Sequence, residues 1–246
     1  MEDEKLPFTH HLEELRKRII ICLAAVAVGF ALSYAFSEEI YRLLAEPIKS
    51  IMPEGSSFIF TGLTEAFFTY LKLALFAGII LSSPVILYQI WCFVCPGLYK
   101  NEKRYVFPFV LLSSIFFIGG VLFCFFVVFP IACEFFKSYA NEYILMNLKI
   151  SEYLSFSCKF LLAFGVVFEL PIFILFLSKL GLVNDRQLRS NRKFVIVIVF
   201  ICAAFLTPPD VVSQVLMAIP LLFLYELSII IARVFGKKEK DDDDDE

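Results

Sequence analysis

The sequence predicts an all-α, polytopic membrane protein of six transmembrane helices, and three observations predict it. The 246 residues are 59% hydrophobic and 17% aromatic, with 30 Phe and only 19% charged residues, against about 25% charged in an ordinary globular domain. Unbroken apolar runs of roughly 18 residues and more recur along the chain, whereas a soluble domain breaks its apolar stretches with polar faces. Lys and Arg, finally, are spread unevenly over the connections between those runs. The composition excludes a disordered chain and a nucleic-acid-binding protein. The formal net charge of −3 arises from the terminal run 241–246, five Asp and one Glu, without which the body is mildly basic. Residues 237–246 are expected to form a solvated, disordered tail, because a block of like charges repels itself and buries nothing.

The spans are read in order. The first, 19–36, follows an acidic start (Glu2, Asp3, Glu4) and is too long for a signal-peptide core, so it is expected to stay in the mature protein. The second is 67–94 and the third 106–129, where the stretch 115–129 shows none of the alternation a barrel strand needs. A helix is then the remaining way to satisfy the backbone in lipid. The fourth, 153–177, contains Pro171. The fifth, 194–206, has only 13 residues, about 20 Å of helix against a hydrocarbon core of ~30 Å. The sixth, 211–232, begins directly after Thr207-Pro208-Pro209-Asp210, so the last two spans form a short hairpin with a proline-broken turn. Pro84 and Pro108 are placed near helix ends or first turns, and Pro130, Pro171 and Pro220 are expected to kink their helices into a curved wall.

Orientation follows from the cationic bias of cytoplasmic loops. Lys5, Arg16, Lys17, Arg18, Lys100, Lys103, Arg104, Lys179, Arg186, Arg189, Arg192, Lys193, Arg233, Lys237, Lys238 and Lys240 fall on one side of a six-span chain, and only Arg42, Lys49, Lys137 and Lys149 on the other. Both termini are therefore expected in the cytoplasm.

The ionisable residues within the spans divide by reach. Lys72 and Lys159 lie close enough to span ends for their long stems to carry the ammonium to the interface. Glu169, deep in the fourth span, is too short to do so, and a carboxylate there costs ~2.5–3.5 kcal/mol on insertion scales unless it faces a wet cavity or is protonated. Glu226, two turns before Arg233, suits an interfacial role, and Gln214 offers an amide to another helix. Glu102 read alone is a favourable carboxylate at the start of a helix. His10 and His11 are the only histidines and point about 100° apart on a helix, so no shared metal site is expected. Cys92 and Cys95 form a C-x-x-C pair with no second pair or nearby His, and the other cysteines are small hydrophobes in apolar runs. Hydrolase, nucleotide-binding and dinucleotide-binding motifs are missing. No catalytic residue, metal or cofactor is expected.

Several ordered strings run through nearly the whole chain: H-L-x-E-L-R-x-R at His11 to Arg18; S-P-V-I-L-Y-Q-x-W-x-F-x-x-P-x-L-Y-x-x-E-x-R at Ser83 to Arg104; F-V-V-F-P at Phe126 to Pro130; Y-L-S-F at Tyr153 to Phe156; F-G-V-x-F-E-x-P at Phe164 to Pro171; and L-T-P-P-D-V-x-S-Q at Leu206 to Gln214, followed by A-I-P at Ala218 to Pro220. Together they resemble the TatC family, the receptor subunits of the twin-arginine protein translocase. The resemblance implies a bacterial inner-membrane protein that binds twin-arginine signal peptides. With single-span partners of the TatA and TatB type, in an oligomeric complex, it would export folded proteins on the proton-motive force. It places Glu14 and Glu102 at signal-binding acidic positions, with Arg16, Phe93, Pro96, Leu98, Tyr99 and Arg104 on the same cytoplasmic surface. Glu169 matches an intramembrane carboxylate facing the concave interior, and Pro47, Thr207, Asp210 and Gln214 match partner-contact positions. The competing reading is a secondary transporter using Glu169 as a proton or cation site, against which stand the missing internal repeat and the long cytoplasmic motif.

Overall fold

A computed structural model describes residues 8–53, 55–94, 106–139, 147–206 and 210–236. The chain folds as helices α1 (Phe8–Ala35), α2 (Ser37–Lys49), α3 (Glu65–Val94), α4 (Val106–Phe123), α5 (Phe129–Lys137), α6 (Ile150–Phe168), α7 (Leu170–Lys179), α8 (Asp185–Ser190), α9 (Arg192–Leu206) and α10 (Val211–Phe235). Two short strands, β1 (Phe58–Ile59) and β2 (Leu148–Lys149), pair in parallel. Among the described residues, five helical runs are long and apolar enough to cross a bilayer: Leu12–Ala35, Glu65–Val94, Phe107–Lys137, Ile150–Lys179 and Val211–Phe235. The run corresponding to the expected fifth span is α9, whose 15 residues reach about 22 Å, short of the ~30 Å hydrocarbon core.

Pro108, Pro130 and Pro171 act where the sequence placed them, while Pro84 and Pro220 do not. The third run changes to a π-helical segment at Cys124–Val128, immediately before Phe129 and Pro130. Such a widened turn accommodates a ring that brings no N–H. The fourth run breaks at Glu169, whose N–H bonds back to Val166 O at 3.1 Å in a tightened turn before Pro171. Pro220 lies within an unbroken α10. Pro84, expected near a helix end, sits well inside α3, which continues through it.

In lipid, apolar surface gives helices little reason to associate, so close packing and interhelical hydrogen bonds carry the association. Helices α1 and α3 meet where Gly29 faces Gly78: a methyl on Gly29 would lie 2.6 Å from Gly78 O, and one on Gly78 would lie 2.5 Å from Phe30 N. Beside this crossing the Ser82 hydroxyl donates to Ala25 O at 2.8 Å. The main core is aromatic. Phe129, Phe160 and Phe164 are fully buried, and rings follow one another down α6, Phe156 to Phe160 at 5.1 Å and Phe160 to Phe164 at 5.2 Å between centroids. A second cluster joins Trp91 to Phe109 (5.2 Å) and Phe176 (5.0 Å).

The connections after α1 and after α5 are fastened together at one end of the bundle. Phe58 pairs with Leu148 and Ile59 with Lys149. The Tyr153 hydroxyl donates to Leu44 O at 2.7 Å, tying α6 to α2. Glu65 accepts from Thr61 N (2.8 Å), Thr61 Oγ1 (3.1 Å), Gly62 N (3.2 Å) and Ser151 Oγ (2.6 Å). Helix α2 lies against this assembly with Leu44, Ala45 and Ile48 inward, while Arg42 pairs with Glu38 on its exposed face at 2.6 Å. Elsewhere, Glu226 pairs with Arg192 at 2.6 Å, and Tyr225 donates to Leu188 O at 2.8 Å.

Candidate functional site

Three polar groupings stand out on this apolar frame. The first is at the shared end of α1 and α3. The repeat of Glu14 and Arg18 four residues apart puts both on one face of α1, and Arg18 donates through Nε to Glu14 Oε1 at 3.1 Å and through Nη2 to the same oxygen. Its Nη1 donates to Gln89 Oε1 of α3 at 3.2 Å. Gln89 is only 8% exposed, and the side chains of Arg18 and Glu14 keep 21% and 25% of their exposure. A part-buried guanidinium is thus held between a carboxylate and a buried amide oxygen, an arrangement in which charge-assisted hydrogen bonds are stronger than on an open surface. Phe93, one turn beyond Gln89, is half-buried at the same end, and Arg16 is exposed. Pro96, Leu98, Tyr99, Glu102 and Arg104 lie outside the described residues, as do Cys95 and the tail 237–246.

The second grouping surrounds Glu169, which sits in the break between α6 and α7. Although the helix breaks here, Glu169 O still accepts from Phe173 N at 2.9 Å, and the side chain lies beside Ser113. Ser113 is completely buried and accepts the indole N–H of Trp91 at 2.8 Å. Since an indole can only donate, it leaves the Ser113 proton available to the carboxyl group. Glu169 Oε1 is buried with no partner among the described residues.

The third lies at the turn between α9 and α10. Asp210 caps α10 by accepting from Ser213 N at 2.7 Å, and Gln214 donates through Nε2 to Phe200 O of α9 at 2.8 Å, the interhelical amide bond expected of it. Asp210 Oδ2 and Ser213 Oγ are buried without partners among the described residues. Thr207 lies outside the described residues. Pro47 is elsewhere, in α2, lining a groove with Leu43, Phe125, Phe126 and Pro130. Of the three described partner-contact candidates, Pro47 lies beside the π-segment and α5, Asp210 caps α10 and Gln214 meets α9.

Sequence reasoning assigned no role to Arg18, Gln89, Ser113 or Trp91. The i,i+4 spacing of Glu14 and Arg18 was the available signal for the first pair; nothing local marks Gln89 or Ser113 as their partners. Glu65, with four accepted hydrogen bonds, was also missed. Among the described residues no group of three or more His, Cys, Asp or Glu is placed to hold a metal ion.

Comparisons with known proteins match most of the chain. The family model for the Sec-independent protein translocase protein (TatC) matches residues 10–220. A Sec-independent protein translocase protein TatC from Desulforapulum autotrophicum is 52% identical over 100% of this chain and 90% of its own length. The Escherichia coli K12 protein of the same name is 42% identical, covering 96% of this chain and 92% of its own. A crystal structure of a twin arginine translocase receptor, TatC, superposes with a TM-score of 0.83 at 42% identity, covering 90% of this chain and 97% of that one.

Proposed function

Because the chain belongs to the TatC family, and is a multi-pass membrane component of the twin-arginine translocase rather than an enzyme, we propose that its α1/α3 end receives twin-arginine signal peptides on the cytoplasmic side of the bacterial inner membrane. With single-span partners of the TatA and TatB type it then passes folded cargo outward on the proton-motive force. The chain crosses six times, α9 included, with both termini in the cytoplasm, as the distribution of Lys and Arg supports.

The observation that carries the reading is the guanidinium seat. A carboxylate and a buried amide oxygen at the α1/α3 end already hold an arginine side chain in part-buried surroundings. That is the chemistry a twin-arginine peptide requires, since exposed ion pairs contribute only ~0–1 kcal/mol and select poorly, whereas a guanidinium shielded from water gains ~1.5–3 kcal/mol per charge-assisted hydrogen bond. Glu14 supplies one such carboxylate, and Glu102, Arg104, Arg16 and the apolar residues Phe93, Pro96, Leu98 and Tyr99 complete the surface. Glu169 serves as an acceptor within the membrane for a later step, and Pro47, Thr207, Asp210 and Gln214 meet the partner helices. The α9/α10 hairpin supports a partner role because α9 is too short to fill the bilayer and Asp210 and Ser213 keep buried polar atoms without partners among the described residues.

The test is the affinity of an Arg-Arg signal peptide against its Lys-Lys counterpart for the full chain in nanodiscs. Arg-Arg should bind at least tenfold more tightly, and Glu102→Gln should lower that affinity by about tenfold, a change of ~1.4 kcal/mol. Equal binding of the two peptides by the unmodified chain sinks the receptor assignment.

The transporter reading is set aside. The family whose model matches residues 10–220 is a protein translocase.

A further inference from the structure

We propose that Arg18 is an internal occupant of the arginine seat, a specificity-determining residue that the guanidinium of a signal peptide must displace from Glu14. The inference rests on the reading above that Glu14 receives a signal arginine.

Three hydrogen bonds hold Arg18, two to Glu14 Oε1 and one to Gln89 Oε1. They span two helices and 71 positions of sequence between Arg18 and Gln89. Arg18 differs in this from its neighbours Arg16 and Lys17, which are exposed. Gln89 supplies the reason that the seat is filled from within. Its side chain is buried, so its amide oxygen has little access to water, and an acceptor left without a donor there costs about 1–3 kcal/mol. A fixed cation of the chain itself removes that cost when no signal is present. Tyr88, whose ring carries a hydroxyl near the Arg18 charge, borders the same position.

Exchange needs no covalent step. The bonds to Arg18 use one carboxylate oxygen, Oε1, and Glu14 is exposed enough to offer the other, Oε2, to an incoming cation. A guanidinium can then take over both positions, because its planar fork presents donors to the carboxylate and to Gln89 together. An ammonium offers a compact charge without the fork and cannot replace Arg18 at both acceptors with the same geometry. Arg18, on a long flexible stem, swings to the interface when released. Self-occupancy thereby weakens every signal but weakens the wrong ones more, which is a gain in discrimination at the expense of affinity.

The experiment measures Arg-Arg and Lys-Lys signal-peptide affinities for the full chain in nanodiscs, unmodified and as Glu14→Gln, Arg18→Lys, Arg18→Gln and Gln89→Leu. Arg18→Lys and Gln89→Leu keep the net charge and loosen the internal occupant. Arg18→Lys should raise Arg-Arg affinity by roughly threefold to tenfold, the worth of one charge-assisted hydrogen bond in part-exposed surroundings, whereas Gln89→Leu, which takes an acceptor from the internal and the incoming guanidinium alike, should leave it nearly unchanged. Both should narrow the ratio of Arg-Arg to Lys-Lys affinity. If Glu14→Gln binds Arg-Arg as well as the unmodified chain, the underlying receptor reading of Glu14 fails. If Glu14→Gln binds weakly while Arg18→Lys and Gln89→Leu leave both affinities and their ratio unchanged, the inference about Arg18 alone fails. A rise confined to Arg18→Gln overturns it too, as that is simple relief of charge repulsion. A fall for both peptides in Arg18→Lys and Gln89→Leu means that Arg18 shapes the seat instead of competing for it, and likewise overturns the proposal.

Discussion

Replacing Gly78 by Ala tests how the α1/α3 crossing sets the geometry of the site above it. The new methyl would sit 2.5 Å from Phe30 N and 2.8 Å from both Gly29 C and Phe30 Cα. All three are backbone atoms, so no side chain can turn aside. Reaching a separation of ~3.5 Å requires the helices to part by about 1 Å. That retreat stretches the Ser82 to Ala25 bond, now 2.8 Å, beyond hydrogen-bonding range. Overpacking costs about 1–3 kcal/mol, and an interhelical hydrogen bond in a membrane protein averages ~0.6 kcal/mol, so the expected loss is about 2–4 kcal/mol. Gly119→Ala is the matched control: it makes the same chemical change on α4, where a methyl meets nothing within 4 Å. Reversible unfolding in mixed micelles, titrated with a denaturing detergent, should separate the two variants by that amount, with Gly119→Ala close to the parent. Gly78→Ala should also loosen the Arg18 to Gln89 bond and, by releasing Glu14 from its internal partner, raise Arg-Arg peptide affinity. Two variants that unfold within about 0.5 kcal/mol of each other, the usual range for inconsequential substitutions, would refute the close-approach argument.

Three further outcomes are expected. Compartment reporters inserted in the connections 37–64 and 134–152 should agree with each other, because β1–β2 pairing fastens these connections together, and both should read the outer compartment; a cytoplasmic signal from the first breaks the proposed topology. Export assays should show Glu169→Gln retaining more transport than Glu169→Leu, since the amide keeps hydrogen-bonding capacity within the membrane, and full activity in both would make the carboxyl group dispensable. Trp91 is the only tryptophan, so Ser113→Ala, which removes the acceptor of its indole N–H, should shift its fluorescence to shorter wavelength; an unchanged spectrum contradicts the Trp91–Ser113 bond.

How far the sequence could be read depended on the range of the interaction. The spans were legible because lipid demands long apolar runs, and the short α9 and its hairpin were legible from 13 apolar residues and a double proline. Glu169 was legible from depth alone, and the structure adds that it occupies the break before Pro171. Helix α2 was not seen: its amphipathic pattern of Leu44, Ala45 and Ile48 against Arg42 and Glu38 lies in a connection between spans and has meaning only against the rest of the bundle. The same holds for the two-residue strands, which carry no local signal and exist because Ser57 and Leu148 come together. Pro84 was misplaced because proline reads locally as a helix end, while in lipid neighbouring helices support a chain that continues through it. Arg18 and Gln89 stood inside a recognised string of residues, yet their partnership depends on a helix crossing set by Gly29 and Gly78.

The carboxylate of Glu65 fixes the mechanics of α3. It binds the preceding loop through Thr61 and Gly62 and the start of α6 through Ser151, so one extremity of a 30-residue helix is anchored as if in a vice. A helix of that length is about 45 Å long, and a tilt of ~5° about the anchored extremity displaces the other by about 4 Å. The α1/α3 end where Gln89 meets Arg18 thus rides on a long lever arm. Small rotations that leave the fastened loops undisturbed are enough there to break a 3.2 Å hydrogen bond, so the seat for the guanidinium is the part of the bundle most sensitive to its angular fluctuations.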